Sequence, residues 1–315
     1  MSYASQVAAH ENAQLPFLWA VLNPPKSVPE ICEKTVASIC EIKGIGVHSA
    51  LEATLHILPA KAGEGIIFIR TDLNNAEIKA SWQSVADTRF CTTIANASGV
   101  TVSTVEHLMA AFSALGIDHA RVEINGPELP IMDGSAAPFV EALLDAGVRE
   151  LATPRTLIRV LKTVTAEENG RTVTLSPSDD FEVTLDFDFG GRLAMGSQYF
   201  HYQANETSFE DDISKARTFG LLEDAQKMWA AGLSKGASLE NTLVFDQGKV
   251  VNEDGMRYED ECVRHKVLDV IGDLHLAGGK ILGHVKAPST GHGLNNKLLR
   301  ALFADPVNYR IERAA

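Results

Sequence analysis

The sequence predicts an α+β fold made of two layered halves. Three observations carry that reading. The chain has 315 residues, more than one domain usually holds. Each half runs from β-branched, alternating segments into helix-periodic ones. Neither half shows the strict strand–helix alternation of a doubly wound sheet, and no short-period repeat is visible.

Residues 1–33 read as an N-terminal extension, poorly ordered or packed on the body. Its apolar run Leu15–Leu22 is short and is broken by Asn23-Pro24-Pro25. The first half, 34–152, has strand-like runs at Ala53–Leu58 and Gly65–Arg70 between Gly and Pro turns. A helix is expected over Val105–Leu115, where Ser103 and Glu106 fit a capping box. A strand follows at Ala120–Ile124, then a turn at Asp133-Gly134-Ser135, with Ser135 as N-cap of a helix ending before Gly147. Thr153-Pro154-Arg155 is the expected linker to the second half, 156–315. There, Thr172–Leu175 and Phe181–Leu185 alternate as strands, Leu222–Ala231 is helical and Thr242–Phe245 is a strand. A long helix is expected over Tyr258–Leu276, then a strand at Lys280–Val285, a Gly-rich loop and a last helix near Asn295–Phe303.

Bulk properties exclude several function classes. The net charge of -13 disfavours nucleic acid, which needs basic stripes. Four cysteines without a Cys-x-x-Cys pair point to free thiols in a reducing compartment. No apolar run is long enough to span a bilayer, and the N-terminus lacks the basic flank of a signal peptide.

Chemistry-bearing residues gather in three places. On the first expected helix, Glu106 and His107 lie roughly 120–140° from the apolar stripe of Val105, Leu108, Met109, Phe112 and Leu115. That position suits a metal ligand beside a general base. It equally suits a capping Glu beside a solvated His. On the long helix, His265, Asp269 and Asp273 recur every four residues, so a His and an Asp one turn apart can reach one ion. A solvated polar face gives the same spacing, although Gly272 and Cys262 share the sector where such a face more often carries Lys, Glu or Gln. Third come His292 between Gly291 and Gly293, and the run Ala216-Arg217-Thr218-Phe219-Gly220. The first is as readily a turn His as a site, and the second as readily a strand end. Gly44-x-Gly46 lacks the full dinucleotide fingerprint.

Together these segments resemble the UDP-3-O-acyl-N-acetylglucosamine deacetylase family, the zinc amidases of lipid A synthesis. The resemblance covers residues 34 to 304. It is most specific at Ser103–Ala111, Glu128–Phe139, Ala216–Gly220, Asn252–Gly255 through Arg264–Lys266, Leu268–Leu274 and Gly291-His292. It implies two similar α/β-layered domains with helices facing each other and the active site between them. It implies that His107, His265 and Asp269 hold Zn2+, with Glu106 as general base and His292 as general acid or electrophile. Asp273 would orient that His, and Thr218 would help hold the oxyanion. Lys266 and Phe219 match substrate-contacting positions, as do Cys91 and Thr92. The segment 222–231 would help form a passage for the acyl chain. The implied partner is an acylated UDP-sugar, handled by a cytoplasmic monomer with no nucleic acid and no stable membrane insertion.

Three departures from the family bear on specificity: the long extension, the lack of a His-Pro pair near Asp188-Phe189-Gly190-Gly191, and Ser289 where a basic residue is usual. They keep open a non-catalytic or altered-specificity paralogue that binds zinc and a sugar nucleotide. A zinc protease is disfavoured because the His-Glu-x-x-His helix is absent.

Overall fold

A computed structural model describes residues 32–189, 196–204, 207–230 and 232–314. Residues 1–31 of the expected extension and the Gly190-Gly191 departure therefore lie outside the described residues. Cys32 and Glu33 already belong to a strand, Cys32–Val36, that pairs antiparallel with Val148–Pro154.

Mixed helix and sheet bear out the α+β expectation. A five-stranded sheet runs in the order Cys40–Ile45, Glu52–Pro59, Ala120–Ile124, Ile66–Arg70, Ala76–Lys79. Its strand Glu52–Pro59 alternates, with Ala53, Leu55 and Ile57 buried on one face. Helices α1 (Glu106–Leu115) and α2 (Ala137–Ala146) belong to this half. The second large sheet has seven strands. Its strand Lys280–Ala287 lies between Arg171–Pro177 and Thr156–Val160 and also pairs parallel with Phe181–Phe187. This half also holds α3 (Phe209–Asp212), α4 (Leu222–Ala230), α5 (Glu261–His275) and α6 (His292–Phe303).

The helix pair α1 and α5 positions the site. Glu106 through Phe112 are all buried in α1, and nearly all of α5 is buried too. Gly272 permits the crossing: a Cβ there would stand 2.0 Å from the Glu106 carbonyl oxygen. The C-terminus of α1 closes on Gly116 (φ 70°), whose amide donates to the carbonyls of Phe112 and Ser113.

Several boundaries differ from the sequence reading, each for a tertiary reason. The capping box does not form, because Ser103 Oγ accepts from Thr93 while Glu106 turns to the Thr92 amide. Ser135 stands one residue before the N-cap and bonds the Ala137 amide. The expected linker 153–155 is no free hinge: Pro154 ends a paired strand, and Arg155 is buried against Asp118. The long helix starts at Glu261, three residues late, because the Glu261 carboxylate folds back to accept from Arg217 and the Arg257 amide. The last helix starts early, at His292, so its expected loop is its first turn.

Candidate active site

The site forms where α1 and α5 face each other. His107 comes from the first turn of α1, while His265 and Asp269 lie one turn apart on α5. Asp269 Oδ1 stands 3.5 Å from His265 Nε2 and 3.9 Å from His107 Nε2. One ligand atom from each residue lies within 4.8 Å of the other two, and all three residues are buried. Two polar atoms here, Asp269 Oδ1 and His107 Nδ1, are buried without a hydrogen-bond partner. Such orphans are costly unless something absent from the protein's own atoms satisfies them.

The ionisation of these groups fits a cation. Burial depresses His107 to about 3, aided by His265 and opposed by Asp269, so the ring is neutral and keeps a lone pair. His265 is lowered as well, chiefly by burial. Its Nδ1–H donates to the Ala216 carbonyl at 3.0 Å, which fixes the tautomer and turns Nε2 toward Asp269. Burial alone would raise Asp269, but Lys266 and the protonated His292 hold it well below the usual carboxylate range. Lys266 Nζ donates to Asp269 Oδ2 at 2.8 Å, leaving Oδ1 as the open oxygen. The donor set of two imidazoles and a carboxylate therefore fits a divalent ion of the zinc type.

Beside this cluster lies an acid–base set. Glu106 is raised to about 7, first by burial and then by Asp273 and Asp269, with His292 opposing. Burial would lower His292, but Asp273 and Glu106 outweigh it and push it up to about 10. His292 Nδ1–H donates to Asp273 Oδ2 at 2.9 Å, and its Nε2 faces Glu106 Oε1 at 3.9 Å. The Thr92 amide donates to Glu106 Oε2 at 3.0 Å, and its hydroxyl donates to Asp273. Thr104, two residues before α1, holds a left-handed φ of 60°, unusual for a β-branched residue, with its hydroxyl on Glu128.

A cavity of about 460 Å³ opens from the cluster. Glu106, His107, Thr218 and Cys91 line it, together with apolar groups of Phe90, Ile131, Phe219, Leu221 and Met228. Thr218 is held there because two separate sequence motifs meet. Its amide donates to the Gly134 carbonyl at 2.8 Å, while Arg257 ties Asp133 at 2.7 Å. Arg217, next to it, is buried and pairs with Glu261 at 2.9 Å and Asp254 at 3.0 Å.

The structure thus brings together His107, His265, Asp269, Glu106, His292 and Asp273, and it sets Thr218, Phe219 and Cys91 on the cavity wall. Two expected substrate contacts sit differently. Thr92 is buried, and its polar atoms are engaged by Glu106 and Asp273. Lys266 is not among the described residues lining the cavity, and its ammonium rests on Asp269 and over the Phe219 ring at 5.4 Å. Sequence reasoning missed Asn295, whose side-chain amide donates to Asp273 Oδ2 at 2.8 Å. It also missed His48, which lines the cavity with a buried Nδ1 that lacks a partner. His48 lay in a glycine-rich stretch, and Asn295 at the expected start of the last helix, where nothing local marks its bond to Asp273.

Hydrolysis assisted by a divalent ion needs ligands with a gap among them, a base, and a cationic proton donor, all screened from bulk water. The α+β frame and its buried cluster therefore define a metal-assisted hydrolase. Comparison with known proteins narrows that class: the chain belongs to the UDP-3-O-acyl N-acetylglycosamine deacetylase (LpxC) family, whose model matches residues 33–304. It is 44% identical over 280 residues to a UDP-3-O-acyl-N-acetylglucosamine deacetylase of Myxococcus xanthus (strain DK1622), covering 89% of this chain and 88% of that protein. A protein of the same name from Shewanella sp. (strain ANA-3) is 44% identical over 276 residues, covering 87% of this chain and 90% of its own. No helix among the described residues is long and apolar enough to cross a membrane.

Proposed function

We propose that this chain removes the N-acetyl group from UDP-3-O-acyl-N-acetylglucosamine, giving acetate and UDP-3-O-acyl-glucosamine for lipid A biosynthesis. His107, His265 and Asp269 hold Zn2+ in this reading. When bound, the ion lowers the pKa of a water toward about 7 and polarises the acetyl carbonyl. The observation that carries the proposal is the buried, unpartnered Asp269 Oδ1 with two neutral imidazoles turned toward it.

The chain's own groups do the rest. Glu106, anchored through Oε2 by the Thr92 amide, keeps Oε1 free to take the water proton. The water oxygen bonds to the carbonyl carbon, and the Thr218 hydroxyl donates to the charge that grows on the carbonyl oxygen. His292 is kept protonated by Asp273, and its Nε2–H is directed at the Glu106 side of the cluster. It gives that proton to the sugar nitrogen as the C–N bond breaks. Phe90, Ile131, Leu221 and Met228 line the cavity as an apolar bed for the fatty chain. The four free cysteines agree with a cytoplasmic protein, which we take to act as a monomer.

The test pairs metal content with acetate release from the acylated sugar nucleotide. Wild type should carry zinc and turn over, a chelator should stop turnover, and His107→Ala and His265→Ala should lose both signals. Glu106→Ala and His292→Ala should keep zinc but lose turnover by about 100-fold or more. If both of the latter variants release acetate at the wild-type rate, the acid–base assignment is wrong.

A further inference from the structure

A second grouping of two histidines and a carboxylate sits on the outer face of the seven-stranded sheet. In the strand Phe181–Phe187, Phe181, Val183, Leu185 and Phe187 are buried, so Glu182 and Thr184 point outward. The strand register sets Glu182 beside His284 in the parallel pair and Thr184 opposite His201 in the antiparallel pair. Glu182 Oε2 then lies 3.7 Å from His201 Nε2 and 3.6 Å from His284 Nδ1. One ligand atom from each of the three lies within 4.8 Å of the others. Donors about 2.1 Å from one tetrahedral ion stand about 3.4 Å apart, so closing on an ion needs only small side-chain shifts.

The hydrogen bonds around the cluster favour a metal over a plain ion pair. Thr184 Oγ1 lies 2.8 Å from His201 Nδ1 and 2.7 Å from His284 Nε2. A hydroxyl oxygen accepts two hydrogen bonds. With both rings donating to it, each neutral imidazole keeps its lone pair on the nitrogen that faces Glu182. Metal-binding histidines use their other nitrogen in this way. Ser178 donates to Glu182 Oε1, which leaves Oε2 for the ion. The side chains of His201, His284 and Glu182 are 37%, 15% and 19% exposed, so an ion has an entry path and water can complete its shell. Lys286, in register with Thr184, is the cation that competes on this face.

We infer that Glu182, His201 and His284 form a second divalent transition-metal site, separate from the catalytic cluster, which ties three strands together. Two imidazoles and one carboxylate select Zn2+ or Ni2+ over Mg2+ or Ca2+. The experiment is metal analysis and Zn2+ titration of the full chain, with Zn2+ as the probe and deacetylation followed in parallel. Wild type at micromolar free Zn2+ should hold two equivalents. His201→Ala, His284→Ala and Glu182→Gln should each hold one, with turnover unchanged. Thr184→Val keeps all three ligands and should weaken only the second equivalent, by roughly 10–100-fold. The His107→Ala/His265→Ala double variant should retain the second equivalent, which separates this inference from the catalytic reading. Uptake of a single equivalent by wild type, or of two by the His201→Ala/His284→Ala variant, overturns it.

Discussion

Replacing Gly272 by Ala tests whether the site depends on backbone contact between α1 and α5. A Cβ at 272 would stand 2.0 Å from the Glu106 carbonyl oxygen, 2.8 Å from its carbonyl carbon and 3.1 Å from the Ala110 amide nitrogen. These are main-chain atoms, so no rotamer change relieves the clash. Van der Waals contact then requires the helices to part by about 1 Å or more. Overpacking of this kind costs roughly 1–3 kcal/mol, and each kcal/mol moves Tm by about 1.5 °C for a chain of 315 residues. The expected fall in Tm is thus roughly 1.5–4.5 °C. The functional effect should be larger in proportion, because the displaced turn carries Glu106 and His107 while Asp269 sits one turn back on α5. A displacement near 1 Å at reacting groups costs about 100-fold in rate. Thermal melts, zinc titration and kcat/KM on one preparation would read all three effects. A Gly272→Ala protein with wild-type melting, zinc affinity and turnover would refute the close crossing as the element that sets the site.

Two further perturbations probe the frame around the site. Arg217→Met should cost roughly 3–5 kcal/mol in urea unfolding, because it strands the fully buried Glu261 carboxylate, and Arg217→Met/Glu261→Leu should recover much of that loss. His275 is lowered from 6.5 to about 4 by burial and then by Arg155, while its bond to the Ile117 carbonyl opposes the shift. The unfolded chain therefore takes up this proton first as pH falls. The stability it contributes is complete above about pH 6.5 and is lost as pH drops toward about 4, an effect of about 3 kcal/mol. Unfolding free energies measured from pH 7.5 to 4.5 should fall less steeply in His275→Gln than in wild type; parallel slopes would contradict the assignment.

What could be read from the sequence was local. His265, Asp269 and Asp273 fall on one face because spacing of four is a property of the helix itself, and the order of strands and helices gave the fold class. What could not be read depended on chain meetings. Thr92 bonds Asp273, 181 residues away, a contact that nothing local shows. Asn295 stayed hidden because it was expected only to open the last helix and nothing local shows its bond to Asp273, whereas Gly291 is extended (φ 179°) and α6 already begins at His292. The Ser103–Glu106 capping box was chemically sound yet lost to tertiary bonds from Thr93 and Thr92. Glu182, His201 and His284 lie on three strands, and only sheet register makes them neighbours.

The two carboxylates of α5 show why the cluster reads as a metal centre and not as a buried polar network kept for fold specificity. Asp269 and Asp273 sit one turn apart in the same helix, and both are buried. Asp273 is saturated: Thr92 donates to Oδ1, while His292 and Asn295 donate to Oδ2. Asp269 receives Lys266 on Oδ2, and its Oδ1 has no donor. A purely structural network would gain by satisfying both, since one unpaired buried carboxylate oxygen costs more than an apolar replacement of the whole group. The fold instead supplies three donors to the carboxylate that holds a histidine in place. It withholds one from the carboxylate that two neutral imidazoles face. That asymmetry makes sense when Asp269 Oδ1 is reserved for a cation, and it assigns the two acids different work although their spacing in the sequence treats them alike.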